Sequence, residues 1–233
     1  MESLEVLANN LANSTTAGFK ADRESYSLYI SPEADEGGRP PLSVPVIEKN
    51  WTDFTQGPLQ ETGKQTDLAL AGRGFFALGG VDGPVYSRSG SFRLSAAGGL
   101  QSGDGRPVLD NLNRPIQLQP NSEVRITGAG EIFQNGAPVA QLQIVDFARP
   151  ELLSKKGSNL FVLPNDTPLA DRALPARNAQ VNQGYTEAAN TQAAESAVRM
   201  IHVLRQFESL QRAMAMAGEM NQKVLDEVVK SHG

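Results

Sequence analysis

The sequence predicts an α+β fold. An antiparallel β domain occupies the middle of the chain, and N- and C-terminal α-helices pair as a coiled-coil-like stalk. Three observations predict it. Near the C-terminus, Met200, Val203, Phe207, Leu210, Met214, Ala217, Asn221, Val224 and Val228 follow one another in alternating steps of three and four. That is the heptad spacing of a helical seam, with Asn221 as its polar member. At the other end, Leu4, Leu7 and Leu11 share one face of a shorter helix. Between the two, short apolar runs are cut by glycine turns with no long helical period, which is the pattern of an antiparallel β domain.

The elements follow in order. Residues 1–30 are assigned to the N-terminal helix, which pairs with the C-terminal one. Asn13-Ser14-Thr15-Thr16 offers side chains that compete with helical hydrogen bonds, and Gly18 ends the helical pattern. Phe19 to Ile30 has no firm period. Residues 31–66 are an extended connector, since 31–45 carries four prolines and two glycines. Residues 67–163 form the β domain. Val81-Asp82-Gly83-Pro84, Ala97-Gly98-Gly99, Gly103-Asp104-Gly105 and Gln134-Asn135-Gly136 supply the positive φ that tight hairpins need. Gln141-Leu142-Gln143-Ile144-Val145 alternates as a half-exposed strand does. Residues 164–183 are a second connector, with Pro164, Pro168 and Pro175. Residues 184–233 hold the long helix. Asn190 and Thr191 are its candidate N-caps, and Glu195 lies where the helix dipole favours a carboxylate.

Burying each large apolar residue of the seam contributes roughly 1.5–3 kcal/mol. Ordering the helix backbone costs roughly 1–2 kcal/mol per residue before helical bonds offset it. The balance favours an ordered helix only where the seam is covered, so the helix is expected to fray in a free subunit. Asn221 would fix register and partner number at a cost in packing.

Composition narrows the function classes. The net charge of −5 argues against a nucleic-acid footprint. No apolar run reaches the about 18 residues of a membrane span, and the start Met1-Glu2-Ser3-Leu4 shows no basic or apolar secretion signal. The chain has no cysteine, so disulfides, thiolate metal sites and cysteine nucleophiles are excluded.

Catalytic and cofactor chemistry finds little to stand on. Gly72-Arg73-Gly74-Phe75-Phe76-Ala77 fits a dinucleotide fingerprint, but a helix would have to start there, and Gly79-Gly80-Val81-Asp82-Gly83-Pro84 reads as a turn. The two histidines are His202, beside the seam, and His232, in the tail, and neither has a partner at metal-ligand spacing. Asp104 resembles part of a calcium loop without the other ligands. No catalytic residue, cofactor or metal is expected.

Several segments together carry a family resemblance. Leu4-Glu5-Val6-Leu7-Ala8-Asn9-Asn10-Leu11-Ala12-Asn13, followed by Thr16-Ala17-Gly18-Phe19-Lys20, resembles the N-terminal signature of the bacterial flagellar rod and hook proteins. Gln56-Gly57-Pro58-Leu59, Thr62-Gly63 and Asp67 to Phe76 resemble the central segment of that family. Tyr86-Ser87-Arg88-Ser89-Gly90-Ser91-Phe92 and Gly157-Ser158-Asn159-Leu160-Phe161 continue it. Gln183-Gly184-Tyr185, Glu187 and Asn190 resemble the lead-in to its C-terminal helix. The matches run in order from end to end. Members normally carry a longer N-terminal helix before the position of Leu4, and Thr186 and Ala189 replace larger or polar residues. Gln211 to Lys230 is closer to the proximal-rod type than to the distal-rod type.

The resemblance implies a structural subunit of the flagellar basal-body rod, without catalysis. Its partners would be itself, other rod subunits and the flagellar type III export apparatus. It would be exported without a cleaved signal to the periplasmic rod. Terminal helices of many subunits would form an inner tube, with the β domain outside. The expected assembly interface comprises Leu4, Leu7 and Leu11 with the nine seam residues from Met200 to Val228, centred on Phe207, Leu210 and Met214. A hook or distal-rod subunit is the near alternative. A secreted coiled-coil adhesin would need a signal or anchor, and a β-domain hydrolase a cleft with two facing carboxylates.

Overall fold

The computed structural model describes residues 2–30, 43–120, 122–164 and 166–231, with the side chains of all of these except 2, 28–30, 43–48, 170 and 221–231. A helix α1 (Glu2–Ala12) leads into a hairpin of β1 (Asp22–Ile30) and β2 (Ser43–Thr52). The β domain follows with β3 (Leu59–Glu61), β4 (Leu68–Ala71), β5 (Phe75–Leu78), β6 (Val85–Ser87), β7 (Arg93–Leu94) and β8 (Leu100–Gln101). It continues with β9 (Val124–Ile126), β10 (Glu131–Gln134), β11 (Ala137–Gln141), β12 (Ile144–Asp146), β13 (Ser154–Lys156) and β14 (Leu160–Val162). Then come β15 (Leu174–Pro175), β16 (Gln180–Gln183), β17 (Tyr185–Glu187) and the long helix α2 (Ala193–Ser231). The class is therefore mixed, with a helix at each end, and every strand pairing among the described residues is antiparallel.

Four boundaries differ from expectation. The segment 1–30 is not one helix: α1 stops at Ala12, and 22–30 is a strand. The segment 31–66 is not only a connector, because β2 and β3 lie in it. The segment 164–183 contains β15 and β16, and β17 precedes the helix within 184–233. The reason is common to all four. These strands find their partners across the chain, β3 with β17 and β4 with β16, or next to a proline-rich stretch, β1 with β2. Pairing of that kind leaves no local period. The run Gln141–Val145 is likewise split, with β11 in one sheet and β12 in another.

The main sheet has the order β13-β14-β6-β5-β12-β15. Its central strand β5 is buried at all four positions. Successive side chains point to opposite faces. Phe76 and Leu78 enter one apolar cluster with Leu68, Phe92, Leu100 and Ile132, while Phe75 and Ala77 enter a second with Tyr86, Phe147 and Phe161. The second cluster is aromatic and edge-to-face: Phe75 lies 5.7 Å from Phe147 and 5.8 Å from Phe161. A sheet covered on both faces explains why β5 reads as a continuous apolar run. Phe76→Ala is expected to cost about 3–5 kcal/mol, because the ring is fully buried against Phe92; urea unfolding with a shifted midpoint and unchanged slope checks it.

The dinucleotide fingerprint is a strand-to-strand turn. β5 begins at Phe75, and no helix starts there. At the β10–β11 hairpin, Asn135 (φ 50°) and Gly136 (φ 79°) adopt the left-handed pair that Asn-Gly favours.

Candidate assembly interface

The C-terminal strands carry the chain back to its beginning. β16 and β17 run antiparallel to β4 and β3, so α2 starts where the segment after α1 emerges. α1 packs against α2. With 11 residues against 39, α1 spans roughly 16 Å of a helix roughly 58 Å long. Most of α2 therefore has no cover from α1.

A buried polar junction holds both termini on the β domain. Glu187 and Lys20 are fully buried and Arg88 is 3% exposed. Lys20 Nζ donates to Glu187 Oε1 at 2.6 Å and to the Thr55 carbonyl at 2.6 Å. Arg88 Nε donates to Glu187 Oε2 at 2.8 Å, and its guanidinium also reaches the carbonyls of Leu70, Gly72 and Gly74. The Gly57 amide donates to Glu187 Oε1, and the Gly18 amide to the Glu187 carbonyl. One carboxylate thus ties the segments of Lys20, Gly57 and Arg88 to β17. Burial pushes the Lys20 ammonium below its usual range, and the charge of Glu187 acts against that.

The neighbouring residues extend the junction. The Asn190 side chain accepts from the Ala21 amide at 2.7 Å and donates to the Asp53 carbonyl at 2.7 Å. It is a bridge between the termini, not the N-cap expected of it. Thr191 likewise pairs its hydroxyl with Ser196 Oγ. Asn10 clamps α1 to β1, donating to the Asp22 carbonyl at 2.8 Å and accepting from the Asp22 amide at 3.0 Å. Lys155 donates to the Lys20 carbonyl and to Asp22 Oδ2, and lies 4.2 Å from the Phe19 ring centre. Gly18 takes φ +68°, and a Cβ there would come within 2.2 Å of the Ser89 amide nitrogen. Ala189 is buried with Phe19 and Ala21, which accounts for a small side chain at this position.

Burial pushes the Asp53 carboxyl upward, but hydrogen bonds from Thr55 and Arg23 outweigh it and hold the group below the ordinary 3.8. Asp110 is held down in the same way by Arg114 and the Leu112 amide, again against burial. A carboxyl depressed in the folded state contributes stability that is present above the unfolded value and lost as pH falls below it. Thermal melts are therefore expected to hold steady down to about pH 4 and to drop steeply below the ordinary aspartate value of 3.8.

The twelve residues expected at the interface fall into three groups. Leu4, Leu7, Leu11, Met200 and Val203 are half-buried around the α1–α2 contact. Phe207, Leu210 and Met214 are 43%, 62% and 74% exposed, and Ala217 is exposed. Asn221, Val224 and Val228 belong to α2, but their side chains lie outside the described residues. The helix runs continuously to Ser231. Ion pairs of Glu195 with Arg199 and Glu208 with Arg212 at i,i+4 support it locally. The junction residues Lys20, Arg88, Glu187 and Asn190 were not expected. Their signal was present, since all four fall in the segments that carry the family resemblance, but spacing alone does not pair residues so far apart.

A cavity of about 690 Å³ on the β domain is lined by Asn111, Asn113, Gln143, Ile144 and Arg172 among others, with no Asp or Glu in its described lining. Among the described residues no helix is long and apolar enough to cross a membrane.

Two terminal helices sewn to a β core, one of them largely uncovered, define a subunit built for assembly, and comparison with known proteins gives the family. Residues 69–134 match the model of the flagellar hook protein FlgE/F/G D1 domain, and residues 182–227 match the flagellar basal body rod FlgEFG protein C-terminal model. The chain is 32% identical to the flagellar basal-body rod protein FlgF of Caulobacter vibrioides over 97% of its own length and 92% of the relative's. It is 30% identical to FlgF of Mesorhizobium japonicum, covering 99% and 91%. It is also 30% identical to the flagellar basal-body rod protein FlgG of Agrobacterium fabrum, covering 94% and 90%. The chain belongs to the flagellar basal-body rod protein family.

Proposed function

We propose that this chain is a structural subunit of the flagellar basal-body rod that assembles through its terminal helices and transmits torque without catalysis. The observation that carries the reading is the exposed run Phe207, Leu210 and Met214 on a helix whose base is locked to the β domain. Exposed large apolar residues in a continuous stripe need a cover. Sister helices of the same heptad spacing supply it, as a coiled-coil-like stalk. Leu4, Leu7 and Leu11 complete the inner layer, and the β domain faces outward. The subunit reaches the periplasmic rod through the flagellar export apparatus. The character of Gln211 to Lys230 favours the proximal rod.

Imaging of basal bodies purified from cells lacking this chain tests the assignment. The rod is expected to be missing or incomplete, and an intact rod would overturn the reading.

A further inference from the structure

A groove of about 380 Å³ runs between α1, β1 and the first turns of α2. Val6, Leu7 and Val203 give it an apolar part, and Glu24 gives it a charge. Glu24 Oε2 accepts from Ser3 Oγ and from Tyr26 Oη. Glu24 Oε1 is buried with no hydrogen-bond partner. The other charges of the groove are matched: Asp22 with Lys155, Arg23 with Asp53, and Glu195 with Arg199. Glu24 is left as the groove's carboxylate with no ion pair among the described residues, so an incoming cation is favoured there.

α2 carries a complementary surface on its far side. At 100° per residue, Val198, Ile201 and Arg205 cluster on the face opposite Met200 and Val203, which look toward α1. Val198 and Ile201 are 54% and 50% exposed. Arg205 is exposed and has no ion pair among the described residues. This apolar and basic face lies outside the heptad seam.

We infer that the groove of one subunit receives the Val198–Ile201–Arg205 face of a second copy of this chain, with Arg205 of that copy against Glu24. The inference rests on the rod reading and names a contact within it. The two surfaces differ, so the contact is head-to-tail. Repeated with a rise, such a contact generates an open helical array rather than a closed dimer.

The test is a charge exchange in the full chain, expressed in cells that lack the native copy. Glu24→Arg and Arg205→Glu singly are expected to lower the chain's content in purified basal bodies at least about tenfold, the effect of about 1.4 kcal/mol at each contact. The double variant is expected to restore it. Melting curves of the purified variants separate assembly loss from misfolding, and Glu24→Gln serves as the milder variant. The chain has no cysteine. Glu24→Cys combined with Arg205→Cys is therefore expected to give disulfide-linked ladders of this chain in oxidised basal bodies. Normal incorporation of both folded single variants, no rescue in the double, or a cross-link only to a different rod protein overturns the contact while leaving the rod reading intact. Absence of the unmodified chain from basal bodies overturns both.

Discussion

Glu187→Gln is expected to destabilise the subunit by about 3–5 kcal/mol, because it leaves two buried cations without their shared counter-charge. The loss should not be confined to one element. Glu187 holds Lys20 from the N-terminal segment, Arg88 from the core and the Gly57 amide together. Amides of residues 16–23 are expected to lose hydrogen-exchange protection together with the start of α2, while β5 and β6 keep theirs. The defect should also depend on pH. Lys20 is already pushed down by burial, and losing Glu187 pushes it further. The unfolded chain then binds more protons than the folded one between the lowered value and 10.5, so the variant regains stability as pH rises through that window. Urea unfolding at pH 7 and pH 9.5 measures both effects, and a pH-independent deficit would count against the charge argument. Glu195→Gln is the control: its pair with Arg199 is more than half exposed and is worth well under about 1 kcal/mol.

Phe207→Asp is expected to abolish assembly while leaving the β domain folded. Phe207 is 43% exposed and belongs to none of the buried apolar clusters, so a carboxylate there breaks no contact of the core. In an assembled seam the same carboxylate would be buried without a partner, at a cost of several kcal/mol at each repeated contact. The isolated variant should melt within about 0.5 kcal/mol of the native chain, as an exposed substitution does. Basal bodies from cells carrying only the variant should lack it.

The elements legible in the sequence were those whose signal is local. Heptad steps gave the long helix, and Asn135-Gly136 and Gly98 marked hairpins that form where the turns were placed. The junction was not legible in this way. Lys20 and Glu187 are 167 positions apart, and each alone looks like an ordinary surface charge. Only the fold, by running β16 and β17 back along β4 and β3, brings them together. The same return path explains the strands missed in the two proline-bearing stretches. Asn190 shows the converse error. Its position before a helix suggested a cap, whereas tertiary donors and acceptors claim its amide first.

The most direct measurement uses the absence of native cysteine. A single Leu210→Cys substitution places a thiol in the centre of the exposed stripe, where the native side chain is 62% exposed. Maleimide labelling is expected to be fast in the dilute isolated subunit and strongly suppressed in purified basal bodies. A thiol already protected in the lone subunit, or one labelled as fast in the basal body, would contradict a stripe that only other subunits cover.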